Sequence, residues 1–228
     1  MKILIIAQGR TKSTAFKMYI QKVYPELSSV ELKCFKYENL LQKIKRTNNI
    51  VARLQTDYIV DYINRKMINL DSYNFEQYDK IYFCTRENSI DSMLSAIAMK
   101  DLYEKTGREH YNENDKVPMI NVKLSDILKR LRDIVLFNIT KKFVESKIKN
   151  TRLYEFKYNT FEKQFEEIFK VKLINYKIPI KKIDIDYKKH TLNYEEAERW
   201  FHNFNKIFKN LTINDIADKK SIFWKDSI

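Results

Sequence analysis

The sequence predicts an α/β fold in which a mainly parallel central sheet is flanked by helices. Short apolar runs such as residues 2–7, KILIIA, are typical of strands that are buried on both faces of a sheet. Segments with apolar residues at helical spacing follow these runs. The alternation of the two patterns along the 228 residues is typical of strand–helix–strand units in a parallel sheet.

The first half of the chain is predicted to contain three strands, each followed by a helix. A strand is assigned to a short apolar or alternating run, and a helix to apolar residues spaced three and four apart. Pro25 ends the first helix, because proline lacks the backbone N–H that a further helical turn requires. In order, the elements are strand 2–7, helix 14–23, strand 30–37, helix 38–46, strand 49–54 and helix 57–68.

The second half is predicted to contain two more strands and four helices, with a polar, exposed segment over residues 105–116. These elements are strand 79–85, helix 90–103, helix 125–149, strand 152–158, helix 161–170 and helix 194–208. We expect an α/β core over residues 1–175 and a lysine-rich extension over 176–228. The helix of that extension is expected to pack Trp200 and Phe204 on the core.

The composition limits the classes of protein and of partner. A chain that is 44% hydrophobic and 14% aromatic can bury a core, which excludes disorder over its whole length. The net charge of +13 favours phosphates, sulfates, nucleic acid or anionic membranes as partners. Lysine-rich drift from AT-rich coding, as in a virus or an AT-rich bacterium, would raise the charge without any ligand. The charge alone therefore identifies no partner.

Cysteine use and hydropathy indicate a reduced, cytoplasmic protein, in the host cytoplasm if the source is viral. Cys34 and Cys84 have neither the number of a disulfide framework nor the spacing of a metal site, so we expect no bound metal. Cys84 lies in an apolar run and is expected to be a buried thiol. No run of about 18 apolar residues occurs, so we expect no membrane partner. The only two glycines are Gly9 and Gly107, and we expect a backbone reason for each.

The first candidate site is the loop that follows the first strand. Its sequence, GRTKST over residues 9–14, leads into a helix N-terminus, where free backbone N–H groups and the helix dipole favour an anion. It is not a Walker A loop, which requires glycine where this chain has Ile6 and Thr11. The alternative is an ordinary strand-to-helix turn with Ser and Thr as helix caps. Hydroxyl donors and positive charge around a phosphate would come from Arg10, Thr11, Lys12, Ser13 and Thr14.

The second candidate site follows the strand over residues 79–85. Arg86 comes directly after that strand, and Ser95 lies nine residues later on the next helix. Ligands of parallel sheets bind beyond the carboxyl ends of the strands, so Arg86 is placed to reach a bound anion. The alternative is that Arg86 pairs with Glu87 or Asp91 and that Ser95 is a small packing residue.

Together, the two loops resemble the two phosphate sites of the PAPS-dependent sulfotransferases in order and in structural context. The first loop of that family usually reads Arg or Lys, Ser or Thr, Gly, Ser or Thr, Thr. Residues 10–14, RTKST, resemble it at four of five positions, with Lys12 in place of the glycine. The second site of the family combines a strand, an Arg and a Ser eight or nine residues later, as Arg86 and Ser95 do here.

Two further segments extend the resemblance over roughly residues 1–175. Residues 105–110, KTGREH, resemble the TG-x-x-H segment of the bacterial trehalose-type sulfotransferases. Residues 152–161, RLYEFKYNTF, resemble a strand that ends in a Tyr-Glu-Asp-Leu-like turn before a helix, with Asn159 where the family has Asp. The resemblance implies a P-loop-like three-layer fold.

The resemblance also implies an activity, the transfer of a sulfuryl group from PAPS (3′-phosphoadenosine 5′-phosphosulfate) to a hydroxyl or amine. The acceptor would be a small molecule or a glycan, and adenosine 3′,5′-bisphosphate (PAP) would be released. Arg10 would contact the bridging oxygen and the 5′-phosphate, and the rest of the loop from Gly9 to Thr14 would hold the other oxygens. Arg86 and Ser95 would hold the 3′-phosphate.

A general base should activate the acceptor in such a reaction. The family often places this base near a strand that residues 49–54, NIVARL, resemble, but here that strand leads to Gln55, which cannot accept a proton. The remaining candidates are Asp57, Glu38 and His110. His110 could equally be a solvated surface residue.

Two other functions stay open at this point. Basic residues alternate with Tyr and Phe in the C-terminal part, which is also typical of a nucleic-acid surface, although we favour packing of these side chains. The chain could then be a non-enzymatic basic α/β protein that binds RNA or DNA. A nucleotide-binding kinase relative is the third candidate, but the chain has no Walker A loop and no acidic magnesium residue at the end of an apolar strand.

Overall fold

The computed structural model describes residues 1–8, 11–32, 44, 46–55, 74–87, 90–107, 117–176, 185–212 and 215. Their five strands are β1 Lys2–Ala7, β2 Ser28–Leu32, β3 Ile50–Gln55, β4 Lys80–Thr85 and β5 Arg152–Lys157. They form one sheet with the order β2-β3-β1-β4-β5, in which every neighbouring pair is parallel. The apolar strand β1 therefore lies at the centre of the sheet, buried on both faces as its sequence predicts.

Five α-helices occur in the described part of the chain, and the chain forms two compact units. The helices are α1 Ser13–Val23, α2 Ile90–Thr106, α3 Leu124–Lys147, α4 Phe161–Phe169 and α5 Tyr194–Phe208. The first unit comprises residues 1–87 and 136–179, and thus the whole sheet, α1, α4 and the C-terminal half of α3. The second unit comprises residues 88–135 and 180–228, and thus α2, the N-terminal half of α3, and α5.

One face of the sheet in the first unit is covered by α1 and α4. Ile3 and Ile5 of β1 point to this face and pack in a buried cluster with aromatic residues of both helices. Phe16 of α1 is at its centre, with ring centroids 5.8 Å from Phe161 and 5.7 Å from Phe165 of α4. This packing fixes the start of α1 against the sheet, where the first candidate site lies.

The opposite face is covered by the C-terminal half of α3. Leu4 and Ile6 of β1 alternate with the residues of the first face and join a second buried cluster. Phe137 and Val144 of α3 belong to this cluster. With helices on both sides of a parallel sheet, the predicted α/β three-layer fold is confirmed.

The second strand differs in its bounds from the sequence prediction. It begins at Ser28 rather than at residue 30, because Ser28 pairs with Ile50 at the start of β3 and donates its N–H to the Asn49 carbonyl over 3.1 Å. Residues 33–37 of the predicted strand lie outside the described residues. The predicted helix over 57–68 lies outside the described residues. The predicted helix over 38–46 also lies outside them, except at residues 44 and 46.

The second unit is joined by a parallel β-bridge between Ile120 and Thr191. Ile120 donates its N–H to the His190 carbonyl and accepts the N–H of Leu192, both over 2.8 Å. The Asn193 side chain adds two hydrogen bonds to the backbone of Val122, next to this bridge. Its Oδ1 accepts the N–H of Val122, and its Nδ2 donates to the Val122 carbonyl.

Helix α5 of the second unit has one buried face, and its fully buried residues are Ala197, Phe201 and Phe208. Phe204 lies on the same face, at i+7 from Ala197, but is only half-buried. Trp200 lies beside this face and is also half-buried. The two side chains that the sequence favours for packing are thus not the most buried ones of the helix.

Two smaller predictions are confirmed. Cys84 is completely buried, and this burial raises the pKa of its thiol. Gly107 has a left-handed backbone with φ of 70° directly after α2, a conformation that glycine adopts without strain. Gly9 lies outside the described residues.

Candidate anion-binding site

The carboxyl ends of β1 and β4 form the place in this sheet where a ligand is expected. The two strands are neighbours, yet the chain leaves β1 toward β2 on one side and leaves β4 toward β5 on the other. Connections that diverge in this way open a crevice between the strand ends, and open α/β sheets bind their ligands there. Both candidate loops begin at this crevice.

Gln8 lies at the bottom of the crevice. Its N–H donates to the Cys84 carbonyl over 3.2 Å, which extends the pairing of β1 with β4 by one residue. Its side-chain oxygen accepts the N–H of Arg86 over 3.4 Å, so the amide group lies between the two strand ends. The residue is only 3% exposed, and its Nε2 has no hydrogen-bond partner among the described residues. A buried, unpaired N–H₂ group is costly and needs an acceptor.

The loop after β1 turns into α1 through a residue with a left-handed backbone. Lys12 has φ of 58° and ψ of 17° and is the N-cap position of α1. The Thr11 hydroxyl donates to the Gln8 carbonyl over 2.7 Å and closes the turn before it. The Lys12 side chain makes no capping hydrogen bond, no other described side chain caps the N-terminus of α1, and the first turn contains no acidic residue. The N–H groups and the positive end of the helix dipole are therefore available for an anion.

The side chain of Lys12 is directed toward the end of β5. Its ammonium lies 2.7 Å from Oε1 of Glu162 and 4.7 Å from the ring centre of Tyr158. The guanidinium of Arg86 lies 4.2 Å from the centre of the same ring. Tyr158 thus brings two cations from different loops together through cation–π contacts.

The partners of these two cations leave them able to bind an anion. Among the described residues Arg86 forms no ion pair, so the pairing with Glu87 or Asp91 that we considered is not formed. The carboxylate of Glu162, the partner of Lys12, is 58% exposed. Exposed ion pairs contribute only about 0–1 kcal/mol, so an anion at the helix N-terminus can compete for Lys12.

A third cation reaches the N-terminus of α1 from β3. Arg53 donates from one nitrogen, NH1, to the hydroxyls of Ser13, over 3.3 Å, and of Thr14. Its Nε donates to Glu31 of β2 over 2.7 Å, and Glu31 also pairs with Lys17 of α1. The Arg53 side chain is only 11% exposed, and its partners on two elements, α1 and β2, fix its position.

The described side chains that are connected through these contacts carry a positive net charge. Four of them are basic, namely Lys12, Lys17, Arg53 and Arg86, and two are carboxylates, Glu31 and Glu162. Within this group, the excess of two positive charges lies beside a helix N-terminus whose N-cap side chain makes no capping hydrogen bond. Both features attract an anionic ligand such as a phosphate or sulfate ester.

A separate polar cluster lies at the ends of β4 and β5 on the α3 side of the sheet. Glu155 accepts a hydrogen bond from Lys141 of α3 over 2.6 Å and another from Thr85 over 3.2 Å. These partners, Lys141 first, lower the pKa of Glu155. A carboxylate with a lowered pKa is a weak base, so Glu155 is not a further candidate for a general base.

The structure describes only part of the site that the sequence predicts. Thr11, Lys12, Ser13 and Thr14 lie together at the start of α1, and Arg86 joins them through Gln8 and Tyr158. Ser95 is buried on α2 in the second unit. The other predicted site residues lie outside the described residues, namely Gly9, Arg10, Glu38, Asp57 and His110.

Sequence reasoning did not assign a role to Gln8, Arg53 or Tyr158. Arg53 had a visible signal, since a charged residue interrupts the apolar run NIVARL at a position that alternation places on the α1 side of the sheet. Tyr158 follows β5 directly, at the same edge as Arg86 follows β4. Two residues at the ends of neighbouring parallel strands are expected to lie close together, so this signal was also present.

Comparison with known proteins adds no assignment. No family model, no curated protein and no solved structure matches the chain. In the described part of the chain, no helix is both long and apolar enough to cross a membrane, and no group of three or more His, Cys, Asp or Glu residues could hold a metal ion.

Proposed function

We propose that this protein is a PAPS-dependent sulfotransferase that binds the nucleotide phosphates in the crevice between β1 and β4. The donor would deliver its sulfuryl group to a hydroxyl or amine of a small molecule or a glycan. The proposal combines the motif resemblance of the two loops with the positive, uncapped helix N-terminus at the carboxyl edge of the sheet.

The observation that carries the proposal is the backbone of Lys12. The sulfotransferase loop usually has glycine at this position, and a left-handed backbone is the conformation in which glycine has an advantage over every other residue. Lys12 adopts it, with φ of 58°, although its side chain makes the conformation unfavourable. Lys12 thus has the backbone conformation that would favour the glycine of the family motif, and this supports the proposal.

Gln8 supplies a test of fit that is independent of the motif. Its Nε2 is buried without an acceptor at the point where the phosphates of a nucleotide would lie. A phosphate oxygen would satisfy this donor and remove the cost of burying it unpaired. The surrounding described residues present more cations than carboxylates, which also fits a phosphate.

In the reaction, the acceptor oxygen or nitrogen forms a bond to sulfur while the bond from sulfur to the 5′-phosphate oxygen breaks. The acceptor proton passes to a general base, and adenosine 3′,5′-bisphosphate leaves. The chain contributes by positioning these groups and by stabilising negative charge on the departing phosphate. Lys12, Ser13, Thr14 and the N–H groups of α1 would do so, with Arg10 as the residue implied for the bridging oxygen.

Thermal unfolding with three nucleotides tests the proposal. Adenosine 3′,5′-bisphosphate should raise the unfolding temperature, AMP should raise it less, and an oligonucleotide should not raise it. A ligand at one hundred times its Kd stabilises the folded state by about 2.7 kcal/mol, which such a scan resolves. Arg86→Ala should remove the shift.

Arg152→Ala is the matched control, because Arg152 begins β5 at the opposite edge of the sheet and is exposed. This variant should respond to the bisphosphate as the wild type does. An absent response to the bisphosphate, together with salt-dependent binding of the oligonucleotide, would instead favour the basic nucleic-acid-binding protein.

A further inference from the structure

Arg53 has no role in the motifs that suggest the proposed function, yet it is the most firmly held cation at the start of α1. Its NH1 donates to the Ser13 hydroxyl over 3.3 Å and to the Thr14 hydroxyl, and its Nε donates to Glu31 over 2.7 Å. Ser13 is itself only 5% exposed. A buried hydroxyl that accepts a hydrogen bond from a cation also needs an acceptor for its own proton.

The direction of these hydrogen bonds decides what the two hydroxyls can do. A guanidinium has donors and no acceptor, so the hydroxyl oxygens of Ser13 and Thr14 accept from Arg53. Each hydroxyl proton must then point elsewhere, and neither donates to any described residue. Serine and threonine in helices often donate to the carbonyl three or four residues earlier. The one such carbonyl in the described part of the chain, that of Thr11, does not accept from Thr14, so within the described residues no acceptor for either proton is present.

We propose that Arg53 is a positioning residue that holds the hydroxyls of Ser13 and Thr14 as hydrogen-bond donors toward a phosphate or sulfate group at the N-terminus of α1. This inference rests on the proposed anion site and adds the reason why its hydroxyls face the ligand. The ligand is recognised as an anion with several acceptor oxygens, which two hydroxyl donors and the N–H groups of the first helical turn can share.

Glu31 fixes the guanidinium in this role. Glu31 accepts a hydrogen bond from Nε of Arg53, while NH1 donates to the two hydroxyls. The planar guanidinium is therefore held by Glu31 at one side and donates to the hydroxyls at the other. A lysine could not make both contacts, because its ammonium is a single point at the end of a flexible chain. Lys17 pairs with the same carboxylate but has no contact with either hydroxyl.

The contacts of Lys17 make it the matched control for Arg53. Lys17→Met removes one cation and one partner of Glu31 and leaves the hydroxyl contacts intact. Arg53→Met removes the same charge together with those contacts. Arg53→Lys keeps the charge and serves as a second variant in case the methionine variant folds poorly. Ser13→Ala combined with Thr14→Val removes the two hydroxyls with little change of shape.

Calorimetric titration with adenosine 3′,5′-bisphosphate and with inorganic pyrophosphate measures the effect. Arg53→Met should weaken binding of the bisphosphate on the order of tenfold or more, which is the loss expected for a charge-assisted donor set. Arg53→Lys should also weaken binding, and Lys17→Met should change it less than about threefold. In the background without the two hydroxyls, Arg53→Met should weaken binding no further.

Several outcomes would overturn the positioning role. Equal losses from Arg53→Met with and without the hydroxyls would mean that Arg53 acts by charge or by packing alone. Equal losses from Arg53→Met and Lys17→Met would mean the same. If the hydroxyl variant binds as the wild type does, the hydroxyls are not donors and the role fails, while the proposed function stands. If the wild type binds neither probe, both proposals fail.

Discussion

Lys12 has a strained backbone conformation and also belongs to the candidate anion-binding site. A left-handed backbone costs a residue with a side chain about 1–2 kcal/mol relative to the ordinary helical region. The side chain offsets part of this through its contacts with Glu162 and Tyr158. Strained backbone is typical of functional sites, where the surrounding structure holds a conformation that the residue alone would not choose.

Two substitutions of Lys12 separate the backbone from the side chain. Both Lys12→Ala and Lys12→Gly remove the contacts with Glu162 and Tyr158, but only glycine tolerates φ of 58°. We expect the glycine variant to be more stable than the alanine variant by about 1 kcal/mol in urea unfolding. If alanine is equal or better, the left-handed conformation does not exist in solution.

Individual residues of the site were only partly predictable. The hydroxyls and cations of the first loop follow from its sequence, because a polar segment between a buried strand and a helix is expected at the ligand edge of a sheet. The roles of Gln8, Arg53 and Tyr158 depend on which strands are neighbours. That order is decided by tertiary packing and is not contained in local periodicity, so the sequence signals at Arg53 and Tyr158 name no contact partners until the strand order is known.

Helices α2 and α4 are each followed by a residue with a left-handed backbone, a glycine in the first case and a lysine in the second. Gly107 follows α2 with φ of 70° and donates its N–H to the Tyr103 carbonyl over 2.8 Å, and Lys170 follows α4 with φ of 56°. A Cβ added at Gly107 would meet no atom within 4 Å, so conformation and not space explains the glycine. The left-handed conformation is favourable for Gly107 and strained for Lys170.

Opposite substitutions at these two helix ends should have opposite effects. Gly107→Ala should lower the free energy of unfolding by about 1 kcal/mol, and Lys170→Gly should raise it by about 0.5–1 kcal/mol. Thermal unfolding of the two variants beside the wild type measures both. A stabilising Gly107→Ala would show that α2 continues beyond residue 107.

The connection from α3 to β5 is held by one carboxylate. Glu76 accepts hydrogen bonds from the N–H groups of Lys149 and Asn150 and from the hydroxyl of Thr151, over 3.0 Å in the last case. The Thr151 hydroxyl also contacts the Tyr78 carbonyl, at the start of the segment that leads into β4. These bonds, that from Lys149 first, lower the pKa of Glu76.

This lowered pKa gives the Glu76 contacts a defined pH dependence. A carboxyl group whose pKa is lower in the folded than in the unfolded chain stabilises the fold above its unfolded pKa and loses that effect as the pH falls through the folded value. Glu76→Gln should therefore be less stable than the wild type at neutral pH, and the difference should shrink in acid. A difference that is constant from neutral pH to about pH 3 would contradict this.

At the scale of the whole molecule, the fold was largely predictable. Strands β1 and β4 are short runs rich in apolar residues, and the aromatic residues of α4 repeat every fourth position. In these elements the periodicity and the composition of the sequence indicate the same secondary structure that the fold requires. The start of β2 was not predicted correctly, because it depends on the pairing with β3, and local patterns do not contain this information. In α5, local periodicity identifies the buried face but not which of its apolar side chains are buried most.

The central claim is that the crevice between β1 and β4 is a phosphate site whose buried donor, Nε2 of Gln8, lacks a partner until an anion binds. Gln8→Glu tests it with almost no change of shape. The new carboxylate can still accept the N–H of Arg86, and a negative charge near a helix N-terminus is favourable. The variant therefore loses the donor and repels an anion while keeping the fold.

Calorimetric titration of the wild type and of Gln8→Glu with adenosine 3′,5′-bisphosphate is the most direct measurement. We expect one-to-one binding to the wild type, and for the variant a loss of affinity of about a hundredfold or more. Burial of the new carboxylate should lower the unfolding temperature of the variant, so the titration is done well below that temperature. A wild type that does not bind the bisphosphate, or a variant that binds it equally well, would contradict a phosphate site at this crevice.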